Sequence, residues 1–163
     1  MKFKLVENIV CLGLIPLLLS CSPSQLKSVL AQPFKSEVQH NLKQVVITLQ
    51  RGQCLGQCPV YKLTIYGTGI VYEGQKYVST IGKKEYLISQ EQVKQLVSEF
   101  DKARFFSLQN DYTGGPTDAP STITSINIDG RTKTVNRYSV SPNAPKELSE
   151  LENKIDSIVG SPN

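Results

Sequence analysis

The chain has 163 residues, of which 39% are hydrophobic and 20% charged, with a formal net charge of +4. That length holds one domain with a sizeable core, not comfortably two. Lysines and arginines are spread along the chain rather than gathered into a basic patch, which argues against DNA or RNA as a partner.

Lys2 and Lys4 precede an apolar run from Ile9 to Leu19, the charged and apolar regions of a secretory signal. A membrane-spanning helix needs about 20 apolar residues. This run is shorter and is interrupted by Pro16. It ends in Leu18-Leu19-Ser20-Cys21, which resembles a bacterial lipobox, where a small residue precedes a cysteine that is acylated and becomes the mature N-terminus. The expectation is therefore a lipoprotein signal peptide over residues 1–20, with the mature chain anchored to a membrane through lipid on Cys21. That places the domain in the bacterial cell envelope, outside the cytoplasm. The alternative is an ordinary signal peptide, or a stretch of buried helix, that ends near a cysteine; Glu7 and Asn8 fit a purely basic leading region poorly.

Residues 21–43 are polar, contain Pro23 and Pro33, and show no sustained period. They read as a flexible tether with a reach of roughly 25 Å. His40, the one histidine of the chain, falls within it. Ser-His-Asp and Cys-His mechanisms are disfavoured accordingly, because no imidazole is expected on a rigid element.

From Val45 the pattern changes to alternation, which predicts one domain over residues 44–160. Val45, Ile47 and Leu49 share one face of a first strand, and Tyr61, Leu63 and Ile65 one face of a second. Gly67-Thr68-Gly69 suits a hairpin into Ile70 to Glu73, and further strands are predicted at Tyr77 to Ile81 and Lys84 to Ile88. Ser89 with Gln92 forms a capping box, after which Val93, Leu96, Val97 and Phe100 recur at helical spacing. Phe105-Phe106 is expected in the core. Residues 110–120 read as a loop. Thr122 to Ile128 and Thr132 to Tyr138 flank Asp129-Gly130, a strong hairpin signal. A last helix carries Pro145 in its first turn and Leu148, Leu151 and Ile155 on one stripe, and ends at Gly160. The order of elements and the short links predict an α+β domain, an antiparallel sheet of hairpins with two helices packed on one face.

Cys11 leaves with the signal and Cys21 takes lipid, so Cys54 and Cys58 remain as a pair in an oxidising compartment. A disulfide between them is the natural expectation. Its closed loop is small, worth about 2 kcal/mol by chain entropy. Two readings stay open: a structural staple, or a reversible thiol pair with Arg51 nearby to favour the thiolate. Zinc would need two further ligands and no histidine is near, so no metal or other cofactor is expected. No phosphate-binding glycine motif is present. Asp118 reads first as a turn residue. Arg131, Lys133 and Arg137 alternate on one side of the second hairpin, either as a solvated edge or as contacts to an anionic surface.

Arg51, Cys54-x-Gly56-x-Cys58-Pro59-x-Tyr61, Gly69, Phe105-Phe106-x-Leu108, Thr117-Asp118-x-Pro120 and Lys133 to Tyr138 together resemble a bacterial family of domains of unknown function, DUF6438-like. The resemblance implies a recurrent exported module and carries over no catalytic residue. This chain has Leu55 where an aromatic follows the first cysteine in family members, and Arg137 where they often have histidine. Candidate binding residues are Arg51, Tyr61, Asp118, Arg137 and Tyr138. The reading from sequence is an envelope lipoprotein with a noncatalytic binding or structural domain, its partner an unidentified envelope protein or polymer. The alternative is an envelope thiol-disulfide redox protein working through Cys54 and Cys58.

Overall fold

A computed structural model describes residues 40–116 and 118–160. The expected signal peptide, Cys21, the tether as far as residue 39 and Thr117 lie outside the described residues.

Strands β1 (Val46–Arg51), β2 (Val60–Tyr66), β3 (Gly69–Lys76) and β4 (Gly82–Leu87) are followed by helix α1 (Gln90–Lys102). Strands β5 (Asp111–Tyr112), β6 (Ser121–Ile128) and β7 (Arg131–Tyr138) come next, and helix α2 (Lys146–Val159) is last. The seven strands form one sheet in the order β4-β3-β2-β1-β6-β7-β5. Neighbours are antiparallel except β5 and β7, which run parallel. This is the α+β architecture the sequence pattern predicts.

Period-two alternation puts Ile47, Leu49, Leu63, Ile65, Ile126 and Val135 on one sheet face, where they are buried. Val93, Leu96, Val97 and Phe100 of α1 and Leu148, Leu151 and Ile155 of α2 close over that face in a single core. The other face is polar and half-buried, with Thr48 and Ser125 sharing a hydroxyl hydrogen bond of 2.5 Å. The Ser89 hydroxyl accepts from Gln92 N–H and the Gln92 side-chain Oε1 accepts from Ser89 N–H, so the capping box starts α1 as its spacing predicts. Phe105 then packs edge-on against Phe100 with ring centres 4.8 Å apart.

The chain must cross from the β4 edge to the β5 edge, six strand spacings or about 29 Å. A helix of 13 residues covers only about 20 Å. Residues 103–110, with a 3₁₀ turn at Phe105–Ser107, supply the rest. Asp129 and Gly130 have φ of 51° and 73°, so the second hairpin turns through the left-handed region its Asp-Gly pair suits. Gly160, at φ 62°, caps α2 in the same region.

Four expectations change. Tyr77 to Ile81 is a turn rather than a strand, with Tyr77 itself at φ 53°, because β3 runs on to Lys76 and takes the pairing residues. Asp111–Tyr112, expected in a loop, forms β5, too short to show any period. Pro145 sits at the cap position of α2 rather than inside its first turn. Residues 40–43, expected in the tether, belong to the folded body. His40 Nδ1 lies 2.6 Å from Asp129 Oδ2, and Leu42 packs against the core. Gly67 makes room for them, since a Cβ there would come 2.3 Å from the Leu42 carbonyl oxygen.

Candidate functional site

The strand registers set one row across the helix side of the sheet. Tyr61 of β2 lies opposite Arg51 of β1, Arg51 opposite Thr122 of β6, and Thr122 opposite Arg137 of β7. Four polar side chains therefore stand in one row on the face that also carries the buried aliphatic residues Ile47, Leu49, Leu63, Ile65, Ile126 and Val135. Burying them without partners would be costly. Helix α2 supplies the partners. Its Glu152 and Asp156 are four residues apart and so share one helix face.

Asp156 takes three hydrogen bonds from the row. Tyr61 donates its hydroxyl to Oδ1 at 2.6 Å, while Arg51 donates from Nη2 at 2.6 Å and from Nε at 3.2 Å to Oδ2. Arg51 also donates to Thr122 Oγ1 at 3.4 Å and to Asn153 Oδ1 at 3.4 Å. Glu152, 1% exposed, is gripped by Arg137, whose Nε lies 2.9 Å from both carboxylate oxygens and whose Nη2 lies 2.5 Å from Oε2. Thr124 donates to Glu152 Oε1 at 3.4 Å, and Arg51 Nη1 stands 3.8 Å from Oε2. Two arginines and two carboxylates thus neutralise one another under α2.

Burial works against the Arg51 charge, but Asp156 outweighs it, and the guanidinium is held above its ordinary pKa. Tyr61 is also pushed above the usual phenol value, first by burial and then by donating to Asp156, which favours its protonated form. These contacts attach α2 to the sheet. Sliding the helix by one turn would set one carboxylate at the other's position and leave one arginine without its partner, so the pairs also fix its position over the strands.

The loop from Gly52 to Pro59 begins directly beyond this row. Cys54 and Cys58 are disulfide-bonded across it with Cα atoms 5.9 Å apart, within the range such bonds need. Gly56 N–H approaches Cys54 Sγ at 3.2 Å, and Leu55 at the tip is 84% exposed. Because β1, β3 and β7 end where β2, β4 and β6 begin, this loop shares one end of the sheet with residues 77–81, 113–116, 118–120 and 139–145.

The candidate residues divide. Arg51, Tyr61 and Arg137 converge through α2, whereas Asp118 is exposed in the loop before β6 and Tyr138 falls on the opposite sheet face from Arg137. The row of Arg131, Lys133 and Arg137 is not a uniform solvated edge, since Arg137 is buried and Lys133 half-buried while Arg131 is exposed. Its period-two positions are those of buried Val135, so all three point to the helix side. Arg131 stacks 4.1 Å over the Phe106 ring, and Lys133 donates to the Leu108 carbonyl at 2.5 Å and to Asn110 Oδ1 at 2.6 Å. Glu152 and Asp156 were not legible as site residues in the sequence. The signal that could have found them is their placement inside the apolar stripe of α2, beside Leu148, Leu151 and Ile155. Among the described residues, no group of three His, Cys, Asp or Glu side chains is placed to hold a metal ion.

A family model described as Domain of unknown function (DUF6438) matches residues 45–159, which includes the whole row, the disulfide loop and both helices. No curated protein matches the chain.

Proposed function

Because the chain belongs to the family described as Domain of unknown function (DUF6438), we propose a role read from its own residues: a cell-envelope lipoprotein that carries residues 40–160 as a noncatalytic binding or structural domain. Lipid on Cys21 holds it to the membrane, and residues 21–39 lead from the anchor to the domain. Its partner is an envelope protein or polymer.

The observation that carries this reading is the bonded pair Cys54 and Cys58. Disulfides persist in oxidising compartments and are rare in the cytosol, so the pair agrees with the export signal written into residues 1–21. The internal neutralisation of Arg51, Arg137, Glu152 and Asp156 supports a stabilising rather than a catalytic use of those groups.

The intact mass of the purified membrane form tests the proposal. It is expected to show acyl chains on Cys21 and a two-proton deficit at Cys54 and Cys58, and Cys21→Ser is expected to leave the membrane fraction. A cytosolic chain with residue 1 retained and both thiols free would sink it.

The exposure of the loop tip at Leu55 favours a second reading, an envelope thiol-disulfide protein. In that role the Cys54–Cys58 disulfide accepts two electrons from a partner dithiol, which leaves as a disulfide while both cysteines become thiols. Exchange with a protein dithiol, lost when either cysteine is replaced by serine in a chain that stays folded, separates this from the first reading.

A further inference from the structure

Strand β4 closes one edge of the sheet. It pairs with β3 alone among the described strands, all six of its residues are exposed, and Leu87 at its end is 92% exposed. A free run of backbone N–H and C=O groups is a template for another strand. On the opposite side of the sheet β5 is only two residues long and pairs with Asn136 and Arg137 of β7.

We propose that β4 is the surface through which two copies of this chain associate, strand against strand and antiparallel, about a two-fold axis at Lys84. An axis normal to the sheet pairs a strand with itself, and residues directly opposite must then point to the same face. The β3 register assigns those faces. Lys84 and Tyr86 stand opposite Tyr72 and Ile70 on the helix side, whereas Lys83, Glu85 and Leu87 stand opposite Glu73, Val71 and Gly69 on the other.

Centring on Lys84 sets Lys83 opposite Glu85 of the second copy, and Glu85 opposite its Lys83. Directly opposed unlike charges attract across a strand pair. The two side chains already lie together in one copy, with Lys83 Nζ 2.9 Å from Glu85 Oε1, so association turns two contacts into a four-charge square. Position 87 falls opposite position 81, just before β4 begins, so the 92% exposed Leu87 and the 66% exposed Ile81 both lie at the ends of the paired strands. Lys84 alone meets its own kind, on the opposite face and at the end of a long stem that reaches into water. Centring on Lys83 or Glu85 instead opposes like charges and gains no unlike pair. Charge complementarity thus selects both the occupant and the register.

Cysteine cross-linking in the full chain reads that register. Under a mild oxidant, Lys84→Cys is expected to form a covalent dimer on its own, because position 84 faces itself. Lys83→Cys and Glu85→Cys are expected to stay monomeric singly and to cross-link when the two chains are mixed. Charge reversal gives an independent readout without cysteines, by sedimentation: Lys83→Glu is expected to weaken association at least tenfold, and Lys83→Glu with Glu85→Lys to restore it. Absence of cross-links at all three positions, equal cross-linking at all three, or no rescue by the double reversal would overturn the proposal.

Discussion

Tyr61 and Asp156, 95 positions apart in sequence, are joined by a 2.6 Å hydrogen bond in which the phenol donates to the carboxylate. Arg51 binds the other oxygen of the same carboxylate at 2.6 Å. The first and last residues of the cysteine motif, Arg51 and Tyr61, therefore meet at one point on α2. The motif does two physical jobs at once: its middle closes a loop by disulfide, and its ends fasten a helix to the sheet.

Removing that point of attachment is expected to cost more than removing one of its bonds. Asp156→Ala leaves the mostly buried Arg51 without its closest counter-ion and is expected to lower unfolding free energy by about 3 kcal/mol. Tyr61→Phe removes one donor and is expected to lower it by about 1 kcal/mol. In urea denaturation followed by circular dichroism, the double variant should lose less than the sum of the two, since both act through one carboxylate. Strict additivity would show that the two side chains do not share it.

The Arg137 and Glu152 pair is nearly closed to solvent, so its parts and its whole should behave differently. Glu152→Gln strands a buried guanidinium and is expected to cost about 3 kcal/mol. Replacing both, Arg137→Met with Glu152→Leu, removes the charges together and is expected to come within about 1 kcal/mol of the parent, with Thr124 losing its acceptor. A double variant as unstable as Glu152→Gln would mean that the pair contributes more than the desolvation it must overcome.

Those pairs were not readable from sequence, and the reason is distance along the chain. The capping box at Ser89 and the Asp129-Gly130 turn are contacts within a few residues, so local chemistry specifies them. The cysteine pair was legible because elimination left two thiols four positions apart. Period two also placed Lys133 and Arg137 on one side of a strand correctly. It gives a face but not its sign, and charged residues take the outward face unless carboxylates or carbonyls wait inside. Those partners sit on α2 and in the segment after α1, 15 to 25 positions away. His40 went astray for the same cause, its partner Asp129 being 89 positions distant.

The disulfide should be a modest staple. Closing five residues removes chain entropy worth about 2 kcal/mol from the unfolded state. Cys54→Ser, Cys58→Ser and the double variant are each expected to lose that amount in denaturation, and reductant should bring the parent to the same midpoint. A loss several times larger would show the loop to be holding the Arg51 and Tyr61 row in place rather than only shortening the unfolded chain.

Acid and alkali should act on different ends of the sheet. Asp129 is held below the usual carboxylate range chiefly by the hydrogen bond with His40, and Asp111 by the hydroxyl and then the N–H of Thr113. A depressed folded pKa gives stability that is present above the unfolded value of about 3.9 and lost as pH falls through the folded one. The denaturation midpoint should therefore drop below about pH 4, and His40→Ala together with Thr113→Ala should flatten that fall. Tyr61 is displaced the other way, raised by burial and by Asp156. Its contribution is present below the unfolded phenol value of about 10 and is lost as pH rises from there through the folded pKa. Tyr61→Phe should shallow the alkaline limb and leave the acid limb alone, with the remaining slope assigned partly to Tyr72, whose burial raises it as well. An alkaline limb unchanged by Tyr61→Phe would show that the phenol is not confined to its protonated form by the site that α2 builds around it.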